Sequence, residues 1–233
     1  MTSRRQRTII FAGFLFALSA FLYLPASAKE KAWLFNQTNP SSPYSKSQMV
    51  IACANGLRLS GSNIRVLIPA PDYKVSIFND ATHQYFEAPL DVWISKYVRD
   101  FAKTHKHLSL CGRGRVAGLE ALRYELRARQ PGGPDRVLRE IWIAKDLGLP
   151  KKIQDLMLAM VGLPPDYGVP LKVTRILPDN TRENVVNTLV AKKIDLPYDA
   201  FKKPSGYKKA KSELALLLNY GKEDEIEQLM PPN

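Results

Sequence analysis

The stretch LRYELRA at residues 122–128 and the stretch RVLREIWIA at residues 136–144, with the turn cluster PGGPD at residues 131–135 between them, decide the fold of this chain. In the first stretch apolar residues alternate with charged ones, which is the period of a strand with one buried face. The second stretch places Ile141 and Ile143 on one face, and the proline and glycine residues between the stretches favour a turn. The residues therefore predict a β-hairpin with an apolar face and a charged face.

Five arginines lie within residues 122–146, and they raise the question of an acidic partner such as nucleic acid. Most of them fall on the polar side of the alternation, interleaved with Glu125 and Glu140. Cross-strand pairing and solvation explain such a face without any partner. A nucleic-acid-binding ribbon would carry a cationic face without that compensation. The sequence therefore predicts a solvated sheet face and no nucleic-acid partner.

The same alternation predicts further strands along the chain. The stretches concerned are QMVIAC, GLRLS, IRVLI, YKVSIFN, HQYFEA, GRGRVAG and LKVTRIL, with a weaker stretch at residues 184–194. Asn55-Gly56 and Asn79-Asp80 are tight-turn signals between neighbouring stretches. Strands that follow one another through short turns predict an antiparallel meander.

Two amphipathic helices are predicted to interrupt the meander. In PLDVWISKYVRDF, residues 89–101, the apolar positions repeat with the spacing of one helix face. In PKKIQDLMLAMVG, residues 150–162, Pro150 opens and Gly162 closes a second helix of the same kind. Each helix needs an apolar surface on which to lay its stripe.

A third, shorter helix is predicted to begin at Ser212, which suits an N-cap, and an acidic helix around residues 226–230 follows it. The chain has no internal repeat, no low-complexity block and no evident linker. The pattern predicts a single α+β domain over residues 29–233, with an antiparallel sheet and the helices on one of its faces.

The N-terminus has the features of a secretory signal peptide. Three arginines within residues 4–7 precede an uncharged apolar run at residues 9–24, and residues 26–28 read Ala-Ser-Ala, the small-x-small pattern of a cleavage site. A retained membrane anchor is the alternative, but the apolar run is shorter than the roughly 20 residues that a spanning helix needs. Cleavage after Ala28 is predicted, and with it a periplasmic or secreted location.

The formal net charge is +12, and removal of residues 1–28, which contain three basic and no acidic residues, leaves +9. Outside the cytoplasm such a chain meets anionic lipid headgroups or acidic wall polymers rather than DNA. Lysines and aromatic residues cluster in FKKPSGYKKAK, residues 201–211, a candidate for contact with an anionic membrane surface. Solubility alone, and a solvated connection into the last helix, are the alternatives.

Cys53 and Cys111 are the only cysteines, and both fall in or beside predicted strands. In an oxidising compartment such a pair favours a single disulfide that closes a long loop. Two reduced thiols in the core are the alternative. Neither cysteine has a CxxC partner or an activating neighbour in sequence, so thiol catalysis is not expected.

No catalytic or metal-binding motif stands out. His105 and His107 are two residues apart, but no Cys, Asp or third His lies nearby to complete a metal shell. The glycines of GRGRVAG lack the βαβ unit of a dinucleotide site and are interpreted as strand bends or bulges. The sequence predicts no enzyme, metal site or cofactor. A hydrolase of an envelope polymer, which would need a polar cleft with perturbed carboxylates, is the remaining enzymatic alternative.

With this order of elements, the chain resembles the LolA/LolB-like half-barrel superfamily of periplasmic proteins. The phrases that carry the resemblance are APDYKVSIFN, HQYFEAPLDVW, GRGRVAGLEALRYEL, REIWIAKDLGLP and FKKPSGYKKAKSE. Members of this superfamily include lipoprotein carriers and sensor domains that bind acylated or misfolded outer-membrane material. The resemblance implies an antiparallel barrel that does not close, with helices covering the opening over an apolar cavity for acyl chains.

The resemblance and the helix pattern together imply a carrier or binding protein whose partners are acyl chains of lipids or lipoproteins. Each buried methylene group contributes about 0.8 kcal/mol, and flexible methionines suit a lid that moves. The residues predicted to line the cavity or its lid are Trp93, Ile94, Tyr97, Phe101, Leu156, Met157, Met160 and Val161. Two alternatives stay open: these residues close a solid core, or the fold serves as an envelope interaction or sensor module with a filled interior.

Overall fold

The computed structural model describes residues 29–40, 42–98, 106–128, 133, 135–197 and 199–218, without the side chains at 96–98 and 106. Its elements are β1 (Glu30–Thr38), β2 (Ser47–Cys53), β3 (Gly56–Gly61), β4 (Ile64–Pro69), β5 (Val75–Asn79), β6 (Gln84–Ala88), α1 (Leu90–Val98), β7 (Lys106–Val116), β8 (Leu119–Ala128), β9 (Arg136–Ala144), α2 (Lys151–Met160), β10 (Val169–Ile176), β11 (Arg182–Leu196), β12 (Lys208–Lys209) and α3 (Glu213–Leu218). The predicted signal peptide at 1–28 and the predicted acidic helix around 226–230 lie outside the described residues.

The twelve strands form one sheet in the order β12-β6-β5-β4-β3-β2-β1-β11-β10-β9-β8-β7. Neighbouring strands are antiparallel except for β12, which runs parallel to β6. The strands β1 to β6 form one series of hairpins and β7 to β11 form a second, and the β1–β11 pair joins the two series. Within the described residues the sheet is curled and open. The predicted antiparallel meander is confirmed, and the open sheet agrees with an incomplete barrel.

The hairpin predicted from the arginine-rich stretches is the β8–β9 pair, with Leu122 opposite Ile143. The charged face differs from the expected one, because Glu125 and Glu140 stand directly opposite each other. Arginines offset this repulsion: Arg127 forms an ion pair with Glu125 on its own strand, and Arg182 of β11 approaches Glu140 to 3.3 Å. Compensation therefore comes from the same strand and from a strand distant in sequence.

The helices are short, but they lie where the sequence placed them. α2 follows Pro150 and ends before Gly162, whose φ of 66° and whose hydrogen bond to the Ala159 carbonyl (2.9 Å) stop the helix. α3 follows Ser212, whose hydroxyl accepts the Ala215 N–H at 3.0 Å, as an N-cap does. None of the described helices is both long and apolar enough to cross a bilayer.

One face of the sheet, here called the inner face, carries the main core. Phe35, Val50 and Ile77 of the sheet belong to the same buried cluster as Trp93 of α1 and Ile153 of α2. α1 and α2 also contact each other, so both helices pack as a pair over the sheet. The predicted position of the helices over an apolar sheet face is confirmed.

β1 is a strand that the sequence-based predictions missed. It lies between β2 and β11, and it pairs Trp33 with Lys193 and Phe35 with Ala191. β1 therefore closes the seam between the two hairpin series, and its fully buried Phe35 anchors the inner face.

Replacement of Phe35 by alanine is expected to lower the free energy of unfolding by about 3–5 kcal/mol, because a fully buried aromatic ring leaves a cavity when it is removed. Val92→Ala is the control: Val92 is 54% exposed on α1, and its loss should change stability by about 0.5 kcal/mol or less. Urea unfolding followed by circular dichroism measures both. Equal losses for the two variants would contradict the position of Phe35 at the seam.

Candidate functional site

The predicted lid residues of α1 differ in their surroundings: Trp93 is buried in the core, whereas Ile94 lines a surface groove. Trp93 is fully buried, and its indole Nε1 donates to the Tyr44 hydroxyl at 3.0 Å while the two rings stack with centroids 6.5 Å apart. The Tyr44 hydroxyl in turn donates to a carboxylate oxygen of Glu213 at 2.6 Å. This chain of contacts ties α1 to the segment before β2 and to the start of α3. The side chain of Tyr97 and all of Phe101 lie outside the described residues.

Three of the four residues predicted in and just after α2 line a small cavity, whereas the fourth, Leu156, is buried in the main core. This cavity measures about 30 Å³, and Met157, Met160 and Val161 line it opposite Gln37 and Gln48 of the inner face. A volume of that size holds about one water molecule, whereas sites for organic ligands measure about 300–1,000 Å³. The space beneath α2 is that of a packed interior, and the assignment of these residues to a ligand site stays a prediction.

The beginning of α2 and α1 border a larger surface groove of about 800 Å³. Ile94, the remaining α1 residue of the predicted set, lines it. Tyr73 and Lys152 stand on its other side, with the Lys152 ammonium 5.8 Å from the centre of the Tyr73 ring. The lining is mostly apolar, but Asp72 and Asp91 balance Lys74 and Lys152, so this groove carries no net formal charge.

A second groove, here called the open groove, lies where the inner face extends past the helices. It measures about 740 Å³. Its lining residues come from β1, β7, β8, β9, the segment after β9 and β11: Trp33, Arg113, Gly114, Arg115, Leu119, Glu120, Ala121, Leu122, Ile143, Ala144, Lys145, Asp146, Leu147 and Lys193. Its volume falls within the range of sites that bind small organic ligands.

Trp33 is fixed at the floor of the open groove by three contacts. Its Nε1 donates to the Leu147 carbonyl at 2.7 Å, and its ring stacks on Phe35 with centroids 6.0 Å apart. The Lys193 ammonium lies 5.4 Å from the centre of the Trp33 ring, within reach of a cation–π attraction. Since the indole N–H is already satisfied, the ring presents an apolar surface to the groove.

The charges of the open groove are mainly positive. Arg113, Arg115, Lys145 and Lys193 line it, against two acidic residues, so the lining carries a formal charge of +2. Leu119, Leu122, Ile143 and Leu147 supply the apolar part of the wall. An apolar floor with a basic lining matches a molecule that has an apolar chain and an anionic end.

The basic segment at residues 201–211 is held to the sheet through Tyr207. The Tyr207 hydroxyl donates to Asp80 at 2.8 Å, and Arg65 reaches the same carboxylate oxygen at 2.8 Å. The Tyr207 ring also meets the Phe78 ring edge-on, with centroids 5.3 Å apart. Lys208 and Lys209 then pair with β6 as the short strand β12, and both side chains are exposed.

Glu87 of β6 binds two lysines at once. Lys74 reaches it at 2.6 Å, and Lys203 of the basic segment forms a short ion pair with its other carboxylate oxygen. Burial alone would raise the pKa of Glu87, but the hydrogen bonds from Lys203 and Lys74 outweigh burial and lower the pKa from 4.5 to about 2. The carboxylate is therefore a structural tether for the segment.

The predicted disulfide is corrected by the structure, because Cys53 and Cys111 are both free thiols. Cys53 lies on β2 and Cys111 on β7, and five other strands separate β2 from β7 in the sheet. A disulfide needs Cα atoms about 4.4–6.8 Å apart, roughly one strand spacing. Burial raises the pKa of the Cys53 thiol to about 12. Cys111 is only half-buried and donates to the Ser109 carbonyl at 3.3 Å.

The two described histidines take part in local contacts. The ring of His83 meets the ring of Tyr207, with centroids 5.4 Å apart, and His107 Nε2 lies 3.6 Å from a carboxylate oxygen of Asp135. His105 lies outside the described residues. Among the side chains that the structure describes, no group of three or more His, Cys, Asp or Glu residues is placed to hold a metal ion.

The glycines of GRGRVAG have identifiable roles. Cys111, just before Gly112, is the extra residue of a β-bulge in β7, which agrees with the predicted bulge. Gly114 leaves room for the ring of Trp142, which a Cβ there would approach to 2.7 Å. Ala117 and Gly118 both have positive φ and form the tight turn into β8.

Comparisons with known proteins give no assignment by sequence: no family model matches the chain, and no curated protein is similar to it. The chain is similar in structure to an uncharacterized conserved protein from Thermus thermophilus at 15% identity and a TM-score of 0.42, covering 79% of this chain and 91% of the other. It is also similar to the Pseudomonas aeruginosa MucA/MucB complex, at 14% identity and a TM-score of 0.42, covering 76% of this chain and 56% of the other.

A LolA superfamily protein from Nitrosomonas europaea is a weaker neighbour, at 9% identity and a TM-score of 0.26, covering 76% of this chain and 91% of the other. The matched part of this chain spans little more than half of the chain compared in the MucA/MucB complex. TM-scores this low do not establish a shared fold or function. The features that agree with a LolA/LolB-like half-barrel are those of the molecule itself: one open, curled antiparallel sheet with helices on its inner face.

The sequence-based predictions missed the open groove. Trp33, Leu147 and Lys193 come from three segments that are far apart in sequence and meet through the β1–β11 pair and the turn after β9. The available signal was the short apolar run AWLF at residues 32–35, whose aromatic residues Trp33 and Phe35 are typical of a strand.

Thiol labelling of the native protein at pH 8 is expected to modify about one cysteine per chain, because burial raises the pKa of Cys53 whereas Cys111 is partly accessible. Cys111→Ser should abolish the native reaction, and Cys53→Ser should leave it unchanged. Both cysteines of the wild type should react in denaturant without reductant. A wild type that reacts in denaturant only after reduction would show that the two cysteines are bonded.

The Glu87 tether is expected to make stability depend on pH. The folded-state pKa of about 2 lies below the ordinary value of 4.5, so the tether stabilises the fold above about pH 5 and this contribution is lost as the pH falls from 4.5 towards 2. The difference in unfolding free energy between wild type and Glu87→Gln should shrink over that range. Glu183→Gln, at an exposed carboxylate 3.9 Å from Arg175, is the control. A difference for Glu87→Gln that does not vary with pH would refute the tether.

Proposed function

We propose that this chain is a non-catalytic extracytoplasmic binding protein that holds an acyl chain of a lipid or lipoprotein in the open groove. The observation that carries the proposal is a space of about 740 Å³ that combines an apolar floor with a basic lining. The signal peptide predicted at residues 1–28 supports the extracytoplasmic location, and the open, curled sheet supports a half-barrel of the LolA/LolB-like kind.

The apolar part of the groove accounts for binding of a chain. Eight methylene groups removed from water would contribute about 6 kcal/mol, before the entropy lost on association is subtracted. The Trp33 ring and Leu147 are held against each other by the indole–carbonyl hydrogen bond, so this part of the floor is already formed. A formed floor lowers the entropy that binding loses.

The basic part of the groove accounts for recognition of the polar end. Arg113 and Arg115 are exposed on β7 and are two residues apart, and Lys193 stands over Trp33. A carboxylate or phosphate at the end of an acyl chain would find hydrogen-bond donors here while the chain stays on the floor. The same charges suit approach to an anionic membrane surface, to which the exposed Lys208 and Lys209 of the basic segment would add.

The absence of catalysis is part of the proposal. Glu87 and Asp80, two carboxylates near the basic segment, are each bound by cationic side chains at 2.8 Å or less. Such ion pairs occupy the carboxylate oxygens, whereas a general acid or base needs a free approach to its substrate. These contacts favour a structural role for both residues.

A second candidate is an envelope interaction or sensor module, and the packed interior favours it. The cavity beneath α2 measures about 30 Å³, and Trp93 and Ile153 are fully buried. Helices that close a solid core leave their outer surfaces for a protein partner. Val92 and Leu214, which are 54% and 55% exposed, are apolar residues on such surfaces.

Titration with sodium dodecanoate below its micelle concentration is expected to show binding by calorimetry and by native mass spectrometry. Trp33→Ala and Leu119→Asp should each weaken it by about tenfold or more, because one removes the floor and the other places a carboxylate on it. Met160→Ala, beside the 30 Å³ cavity, is the matched control and should bind as wild type does. Circular dichroism checks that each variant is folded.

Two other outcomes of this titration would contradict binding of an acyl chain in the open groove. Loss of binding in Met160→Ala with retention in Trp33→Ala would place the acyl chain under α2, as the sequence predicted. No uptake of dodecanoate by the wild type, together with protein purified from the envelope that carries no acyl species, would favour the interaction module and reject the acyl-binding proposal.

A further inference from the structure

The strand β7 forms a long edge of the sheet. It runs over eleven residues, Lys106–Val116, about twice the usual strand length. Among the described residues it pairs with β8 on one side and with no strand on the other. Backbone N–H and C=O groups along a free edge are available to another strand, and proteins usually shorten or cover such edges. β7 is long and, within the described residues, uncovered.

The opposite edge of the sheet, at β6, is paired with a further strand. There β12 pairs with β6 through Lys208 and Lys209, and Tyr207 docks beside them on Asp80 and Phe78. The chain therefore covers the β6 edge with its own segment. The contrast makes the uncovered β7 edge a specific feature of this sheet, and not a general property of its ends.

The charges of β7 are all of one sign. Its sequence, KHLSLCGRGRV, contains two arginines, a lysine and a histidine and no acidic residue. Arg113 and Arg115 are exposed and form no ion pair in the part of the chain that the structure describes. Their side chains share one face, because they are two residues apart on a strand. Arg127 and Arg182 elsewhere on the sheet each have a glutamate partner.

An apolar contact point lies on the same strand. Leu110 is 56% exposed, and the bulge at Cys111 separates it from the arginine pair. A strand added to β7 would find an apolar residue near the middle of β7 and two cations towards its C-terminal end. It would also extend the sheet beside Arg113 and Arg115, which line the open groove.

We propose that β7 is a docking edge that receives an extended acidic segment of a partner protein as an additional strand of the sheet. Main-chain hydrogen bonds along the edge would supply affinity, and carboxylates two residues apart on the partner would meet Arg113 and Arg115. A second copy of this chain is disfavoured as the occupant, since two β7 strands would bring like charges together. This proposal does not rest on occupancy of the open groove.

The test uses the whole chain from residue 29 and a labelled ten-residue peptide of alternating valine and glutamate with blocked ends. Fluorescence anisotropy should show binding, and hydrogen–deuterium exchange should show protection concentrated in residues 106–116. The same peptide with alternate backbone nitrogens methylated keeps its charge but cannot pair as a strand. It should bind at least about tenfold more weakly.

Charge reversal separates the edge from general attraction to a basic protein. Arg113→Glu with Arg115→Glu should weaken peptide binding by about tenfold or more. Lys192→Glu with Lys209→Glu is the matched control, because it changes the net charge equally at exposed lysines of β11 and β12. The control should bind as wild type does, and unfolding curves check that both double variants are folded.

Three results would overturn the proposal. One is equal binding of the methylated and unmethylated peptides, or an equal loss of peptide binding in the control variant. Either result would indicate electrostatic attraction without strand pairing. Another is protection outside residues 106–116, or no binding. The third is a β7 edge that is protected from hydrogen–deuterium exchange when no peptide is present. If deletion of the acidic segment 219–233 removes this protection, the chain's own terminus is the occupant. If the protein is a dimer that dissociates in the Arg113→Glu variant, the occupant is a second copy.

Discussion

The structure depends on a mismatch between the width of the sheet and the length of the helices that cover it. Twelve strands at a spacing of about 4.8 Å span roughly 55 Å along the sheet, whereas a helix of ten residues is about 15 Å long. The three short helices, α1, α2 and α3, therefore shield only part of the apolar inner face. Under them the side chains interlock, and past them Trp33, Leu147 and their neighbours form an exposed groove.

The covered part is fastened by polar contacts as well as by apolar packing. The sequence of hydrogen bonds from Trp93 through Tyr44 to Glu213 connects three segments that are distant along the chain. At the C-terminal end of α2, the Arg139 guanidinium donates to the Val161 carbonyl at 2.6 Å and so satisfies a backbone acceptor there. These partly buried bonds oppose displacement of the helices, because breaking each one would leave polar groups without that partner. The inner face of the sheet therefore has one part fastened under the helices and another part exposed as the open groove.

Local patterns predicted the local structure well, for physical reasons. Alternation of apolar and charged residues in 122–128 reports burial of one face, and that is a property of the strand itself. Pro150 and Gly162 mark the ends of α2 because their backbone preferences act within one turn. The strand predicted from GRGRVAG, by contrast, begins at Gly112, whereas β7 begins at Lys106 and includes His107, because an edge position tolerates polar side chains.

Features that depend on strand order were beyond the same patterns. The disulfide prediction rested on an oxidising compartment and on two cysteines in or beside strands, but the sheet order separates those strands. The open groove needs Trp33 beside Lys193, a pairing between residues 160 positions apart. The signal peptide lies outside the described residues, and the acyl-chain ligand was inferred from a resemblance and the helix pattern, so both stay predictions.

The β1–β11 pair has a consequence for how the molecule folds. Each hairpin series consists of contacts between neighbours in sequence, but the seam joins Lys31 to Asp195 across 164 positions. Closing so long a loop is slow compared with forming hairpins. Until β11 forms, β1 leaves one edge unpaired and available to other unfolded copies of the chain. A high concentration of unfolded chains is therefore the circumstance in which this protein is most exposed to aggregation, although the folded molecule pairs that edge with β11.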